Sequence, residues 1–256
     1  MIETKAFNRS GVSQESQYAM PYHYIPSFEG GHFSQHLYWS WGYHYLGALE
    51  YLIGILNEER FESLIDVGCG DGRLLRDIGR EFSPKKLLGV DYSKRAIDLA
   101  RALNPGLDYM HADICSDESQ LKSFDVVTLV EVLEHIPLDS VSDFVSAFAG
   151  LNRPGGRLLL TVPHKNKQLQ EKHFQHFDSV TLRKTLEPYY EIERLIYFDR
   201  LSRFLRHGIY PFLENRLFIL NNRFLLDLFF SMYRKYFFLC CEEKCGRLCV
   251  IGRRKR

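Results

Sequence analysis

Leu64-Ile65-Asp66-Val67-Gly68-Cys69-Gly70-Asp71-Gly72-Arg73 is the stretch whose reading decides the fold. An apolar run carrying Asp66 stops at three alternate glycines, and a helical pattern (Leu74, Leu75, Ile78) follows at once. A strand, a tight glycine turn and a helix are how an α/β sheet opens a nucleotide-sized site at the carboxyl ends of its strands. Glycine suits such a turn because it accepts positive φ and lets a ligand approach the backbone with no Cβ in the way. The G-x-G-x-G spacing differs from the dinucleotide fingerprint G-x-G-x-x-G, whose helix N-terminus holds a pyrophosphate. It favours a ligand with an adenosine and no phosphate.

Working outward, strands and helices alternate. Residues 86–91 read as a second buried strand ending in Asp91, with Ser93 as the N-cap of the next helix. Residues 107–110 form a short third strand before His111-Ala112-Asp113-Ile114, and residues 124–130, apolar on both faces, read as a central parallel strand. A helix over 139–151, a turn at Pro154-Gly155-Gly156, a strand over 157–162, a helix over 179–186 and a strand over 192–198 follow. This spacing predicts right-handed crossovers and a mainly parallel sheet. Residues 200–239, rich in Leu and Phe, read as two or three helices inserted before a final strand over 246–252 and a basic tail, Arg253-Arg254-Lys255-Arg256.

Upstream, residues 1–17 are polar and read as poorly ordered. From Tyr18 the chain becomes rich in aromatics, including both tryptophans, Trp39 and Trp41, with His23, His32, His36 and His44 among them. Leu37, Trp41, Tyr45, Leu49 and Leu52 recur at helical spacing, which predicts a helix over 35–57. That helix either packs on the sheet edge alone or forms a cap over the glycine turn. The expected organisation is one domain: a cap over 18–60, a cofactor-binding core over 61–199, an insertion over 200–239, and the last strand and tail over 240–256.

Composition narrows the partners. Thirty-three Lys and Arg against 32 Asp and Glu give a net charge of +1 across 256 residues, so no global field draws the chain to nucleic acid. No uncharged apolar run of about 18 residues is present, and the first ten residues lack a signal-peptide core, so a cytoplasmic location is expected. Four of the six cysteines fall within residues 240–249 at a spacing that lacks the gap of a zinc knuckle.

Three acids make the site more specific. Asp91, at the end of the second strand, can accept both hydroxyls of a ribose. Asp113 can accept from an adenine amine, and Asp66 can hold the loop amides. Singly, Asp91 or Asp113 could equally cap the following helix.

Asp66 to Gly72, Gly89-Val90-Asp91, Ala112-Asp113-Ile114, Phe124 to Val127, Glu131-Val132-Leu133-Glu134-His135-Ile136 and Arg153 to Gly156 occur in that order. The series, over residues 61–198, resembles the Rossmann-like S-adenosylmethionine-dependent methyltransferases, and is most similar to their small-molecule branch, which includes quinone-biosynthesis and sugar methyltransferases. The resemblance implies an α/β fold with a seven-stranded sheet in the order 3-2-1-4-5-7-6, the seventh strand antiparallel. It implies that Gly68, Gly70 and Gly72 wrap the methionine part of S-adenosyl-L-methionine, with Asp66 and Cys69 of the same stretch counted among the cofactor-binding residues. Asp91 with Tyr92 would take the ribose, Asp113 with Ile114 the adenine, and Val130 with Glu131 would face the transferred methyl. Small-RNA 2′-O-methyltransferases bind a metal at a similar Glu-x-x-Glu-His spacing with a later histidine, a position His173 or His176 would fill here. The stretch is common in metal-free relatives and the chain has no basic face, so neither a metal nor a nucleic acid is expected.

A hydroxyl acceptor must lose its proton as the bond forms, and His135, His164, His173 and His176 follow strands four and five at the appropriate edge. Tyr22, Tyr24 or Tyr43 could face the sulfonium. The expected reaction is methyl transfer to a small-molecule hydroxyl, of a sugar or glycan precursor or of a lipid-linked or quinol-type substrate. Metal-assisted RNA 2′-O-methylation and a catalytically silent cofactor-binding protein are the alternatives. Between residues 200 and 238, seven Lys or Arg against two acids are interleaved with Phe and Leu, which suits a peripheral membrane contact as well as a lid or a homodimer surface.

Overall fold

The structure, a computed structural model, describes residues 27–29, 31–34, 40–116, 123–213, 218, 220 and 222–256. Its centre is strand β1 (Ser63–Val67), which pairs in parallel with β2 (Lys86–Asp91) on one side and β4 (Phe124–Val130) on the other. Strand β3 (Asp108–His111) extends the sheet beyond β2, and β5 (Asn152–Pro163) lies beyond β4. Strand β7 (Arg247–Arg254) inserts antiparallel between β5 and β6 (Tyr190–Phe198). The order is therefore 3-2-1-4-5-7-6, as the resemblance implies.

Alternation along the strands divides the core in two. Leu64, Val126, Leu159 and Ile251 face one side, where they meet Leu49 and Leu52 of α1 (Ser40–Leu56), Leu75 and Ile78 of α2 (Arg73–Glu81) and Ile97 of α3 (Lys94–Leu103). Ile65, Val127, Leu160 and Val250 face the other, against Phe144 and Phe148 of α4 (Val141–Leu151) and Leu182 and Leu186 of α5 (Ser179–Leu186). Each fully buried Leu, Ile or Phe contributes roughly 1.5–3 kcal/mol, so both layers are needed.

Between β6 and β7 the chain leaves the sheet at Asp199 (φ 59°), forms helical turns over Leu205–Ile209 and Tyr210–Leu213, then α6 (Arg223–Tyr233), and returns through Glu242–Lys244. Asn222 caps α6 by accepting the Leu225 N–H at 3.0 Å. Leu226, Phe230 and Tyr233 pack onto the α1 side of the sheet. A hairpin, Ser27–Glu29 with His32–Ser34, lies against α6.

Three expectations need correction. Pro154-Gly155-Gly156 is not a turn ahead of the fifth strand: β5 runs unbroken from Asn152, and the register shift between Phe124 and Val126 absorbs the extra residues, with Gly155 at φ 74°. The final strand does not stop at Gly252 ahead of the basic tail, because Arg253 and Arg254 end β7. Arg253 pairs with Glu59 at 2.6 Å and Glu193 at 2.9 Å, and Arg254 donates to the Ala149 and Tyr189 carbonyls. Tyr43 is buried in the layer beneath the insertion, with its ring centroid 4.4 Å from that of Tyr233, and does not reach over the glycine turn. Tyr22, Tyr24 and most of the aromatic stretch lie outside the described residues.

Candidate active site

The glycine turn is built as the alternate spacing requires. Gly68, Gly70 and Gly72 have φ of 71°, 55° and 80°. A Cβ at Gly68 would lie 2.5 Å from Val132 Cγ2, and one at Gly72 would lie 2.3 Å from the Tyr109 hydroxyl. The turn is pinned to β2: the Gly68 and Cys69 amides donate to the Val90 carbonyl at 2.8 and 3.1 Å, and the Gly70 amide donates to Asp91 Oδ2 at 2.9 Å. Asp91 Oδ1 accepts the Ser93 amide at 2.8 Å. Both oxygens of this buried carboxylate thus accept a backbone donor.

A cavity of about 360 Å³ opens along the carboxyl ends of β1, β2 and β4. That is within the range of small-ligand clefts, roughly 300–1,000 Å³. Of the residues expected from the sequence, Gly68, Asp91, Tyr92, Asp113, Ile114, Glu131 and His135 line it. Asp113 accepts the Cys115 amide at 3.0 Å and the Ser116 hydroxyl at 3.3 Å. Cys69, Gly70 and Gly72 are outside the lining. Asp66 is also outside it: Thr128 Oγ1 donates to it at 2.7 Å, and burial pushes its carboxyl up to about 7. Val130 and the other three histidines are outside the lining.

Past β4 the backbone turns through Glu131 at φ 57°, with the Glu131 amide donating to the Thr161 carbonyl at 3.0 Å. Glu131 Oε1 accepts the Thr161 hydroxyl at 3.0 Å and sits 3.7 Å from Arg247 Nε. Glu134 is 1% exposed, and burial, reinforced by the charge of Glu131, raises its pKa well above the carboxylate range.

The histidine tautomers follow from their partners. His135 Nδ1 is 3.0 Å from the Lys172 carbonyl and must donate to it, so its Nε2 carries a bare lone pair. His176 Nδ1 donates to the Lys167 carbonyl at 3.2 Å, so its Nε2 accepts from His173 Nδ1 at 2.8 Å, which leaves His173 Nε2 bare as well. The His135 and His173 rings meet edge to face at 4.8 Å. Burial lowers the pKa of both, that of His173 to about 3, and keeps the rings neutral. Glu134, His135 and His173 offer ligand atoms within 4.8 Å of one another. His164 stands apart: its Nδ1 accepts the Asn166 amide at 3.0 Å and its Nε2 faces Glu242 at 3.4 Å, which ties the end of β5 to the returning insertion.

Sequence reasoning missed one buried cluster beside this site. Asp199 accepts from Tyr233 and, at 2.8 Å, from His44, and its Oδ2 lies 3.0 Å from Arg247 Nη2. Burial alone would raise the Asp199 carboxyl, but the charges of Arg247 and His44 hold it well below the carboxylate range. Arg247 begins an apolar strand, and no local pattern singles it out.

The sheet order, the glycine cradle and the acid at the end of β2 are those of the Rossmann-like fold of S-adenosylmethionine-dependent methyltransferases. A family model described as a methyltransferase domain matches residues 38–196, and the chain belongs to that family. The chain is 32% identical over 108 residues to the ubiquinone biosynthesis O-methyltransferase of Aeromonas salmonicida, a match covering 40% of this chain and 44% of that protein. It is 31% identical over 153 residues to the mitochondrial ubiquinone biosynthesis O-methyltransferase of Schizosaccharomyces pombe, covering 57% of this chain and 53% of that one. The chain thus spans about half the length of these curated relatives. Among solved structures, the N-methyltransferase NodS of Bradyrhizobium japonicum with S-adenosyl-L-homocysteine superposes with a TM-score of 0.58 at 14% identity, over 85% of this chain and 89% of that chain. The methyltransferase domain of bacterial CtHen1 gives 0.57 at 15% identity, over 82% and 99%. Both are likenesses of fold. The cradle at Gly68, which a Cβ would fill, and the Asp91 carboxylate on the wall of the same cavity fit S-adenosylmethionine, the cofactor of this class.

Proposed function

We propose that the protein transfers a methyl group from S-adenosylmethionine to a hydroxyl of a small molecule, of quinol or catechol type. The observation that carries this reading is the bare, neutral Nε2 of His135 on the wall of the cavity that Gly68 and Asp91 also line. The bound cofactor supplies a methyl carbon on a good leaving group, so the chain's task is to position the acceptor and exclude water. His135 Nε2 accepts the acceptor's proton as the bond forms, and its bond to the Lys172 carbonyl fixes the ring for that role. Thr161 and Arg247 hold Glu131 at the cavity rim, where it can accept a second acceptor hydroxyl. The names of the relatives, ubiquinone biosynthesis O-methyltransferases, support a phenolic acceptor over a sugar.

A second reading has its own observation: the cluster of Glu134, His135 and His173 can hold a divalent cation that would bind vicinal hydroxyls. The test is transfer of labelled methyl to parallel panels of catechols and quinols, free and nucleotide-linked sugars, and RNA ends, with and without chelator. Labelling of catechols or quinols with chelator present is the expected result. Labelling confined to sugars or RNA refutes the acceptor class, and activity lost to chelator and restored by a divalent cation favours the second reading.

A further inference from the structure

The insertion presents two apolar surfaces. Leu226, Phe230 and Tyr233 of α6 are buried in the core, yet Phe224 and Leu228, one helical turn apart on the opposite side, are 74% and 51% exposed. Outside α6, Phe204, stacked on Phe237 with ring centroids 6.2 Å apart, is 57% exposed, and Tyr236 is 55% exposed. Basic residues are interleaved with them: Arg200, Arg203, Arg206, Arg223, Arg234 and Lys235 are all exposed, Arg234 pairing with Glu50 at 3.1 Å. Half-buried Asp227 is the one acid among the described residues of 200–238.

Large apolar side chains set among cations match a bilayer interface, where rings enter the headgroup region and Arg and Lys meet anionic lipid. Topology places this surface. Strand β6 ends at Phe198 and β7 starts at Arg247, so the insertion leaves and rejoins the sheet at the edge where the cavity opens. Arg253 and Arg254, at the opposite edge, are held by protein partners and take no part.

We propose that the described residues of 200–238, through these exposed rings and cations, dock on an anionic lipid bilayer and bring the cavity edge to the membrane surface. It would there meet an acceptor carrying a long apolar tail. The nature of the acceptor rests on the quinol reading, whereas docking itself does not.

The test is co-sedimentation of the full chain with vesicles of phosphatidylcholine alone or mixed equally with phosphatidylglycerol, at low and high salt. Binding to the mixed vesicles, weakened by salt, is expected. The pair Phe224→Ser with Leu228→Ser, and separately the charge reversals Arg203→Glu with Arg206→Glu, should each reduce it by about tenfold or more while calorimetric affinity for S-adenosylmethionine stays at the wild-type value. The reversals touch only exposed side chains, so they test the surface even if the apolar pair fails to fold. No preference for anionic vesicles, or variants that bind as the wild type does, overturns the proposal. So does a concentration-dependent dimer abolished by these substitutions without vesicle binding, which would assign the face to a second copy. Vesicle binding without quinol methylation would refute the acceptor reading and leave docking standing.

Discussion

Replacing Asp91 with alanine tests whether one carboxylate serves both the glycine loop and the cofactor. The carboxylate accepts the Gly70 amide at 2.9 Å and the Ser93 amide at 2.8 Å, and the residue is 5% exposed. Removal leaves two buried donors unpaired at about 1–3 kcal/mol each, so the unliganded protein should lose roughly 2–6 kcal/mol. A ribose hydroxyl bonded to a charged acceptor contributes about 1.5–3 kcal/mol, so S-adenosylmethionine should bind roughly 10- to 150-fold more weakly. Asp91→Asn keeps one acceptor oxygen and should lose less stability while binding is still clearly weakened. Thermal denaturation reports the first quantity, and titration calorimetry with S-adenosylmethionine and its demethylated product, below the melting temperature, reports the second. Wild-type affinity in Asp91→Ala would refute the ribose role, and a wild-type melting temperature would refute the anchoring of the loop.

Gly68→Ala places a Cβ 2.5 Å from Val132 Cγ2 at φ 71°, so cofactor affinity should fall by at least about tenfold, as calorimetry would show. Asp199→Ala leaves the Arg247 guanidinium buried without its closest acid and should cost about 3–5 kcal/mol in denaturant unfolding; a change within error would show that the cluster is not what joins the insertion to the sheet. His135→Gln should lower kcat about 100-fold or more at unchanged cofactor affinity, and an unchanged kcat would remove His135 as the base. For pH, burial raises the folded Asp66 carboxyl from 3.8 to about 7, so in that window the folded protein keeps a proton that the unfolded chain has released. Its contribution to stability therefore falls as pH rises from about 4 to 7, by up to about 1.4 kcal/mol per unit. Asp66→Asn should flatten this slope in urea midpoints, and an identical slope in both proteins would refute the assignment.

Sequence alone was sufficient for the order of strands and helices and for the glycine cradle, because these rest on local signals. Apolar runs separate β1, β2 and β4, Ser93 caps α3 by accepting the Ala96 amide at 3.1 Å, and three glycines at alternate positions demand positive φ. Strand ends erred where a side chain or bulge decided the register, as at Asn152, which donates to the Phe124 carbonyl at 3.1 Å and starts β5 early. Four histidines were equivalent in sequence, and only tertiary structure separated them. The loop carrying His173 and His176 folds back so that the Phe174 amide donates to the Glu134 carbonyl at 2.9 Å, while His164 is turned to Glu242.

The membership of Arg247, Asp199, His44 and Tyr233 in one buried cluster was likewise decided by packing. These residues come from α1, the end of β6, α6 and the start of β7, and no periodicity links positions so far apart. Sequence thus determined what was set within a turn or a strand: an α/β sheet with a glycine turn at Gly68 to Gly72 and an acid, Asp91, at the end of the next strand. Tertiary structure decided which distant side chains share that edge, because burial and pairing depend on the register of whole elements.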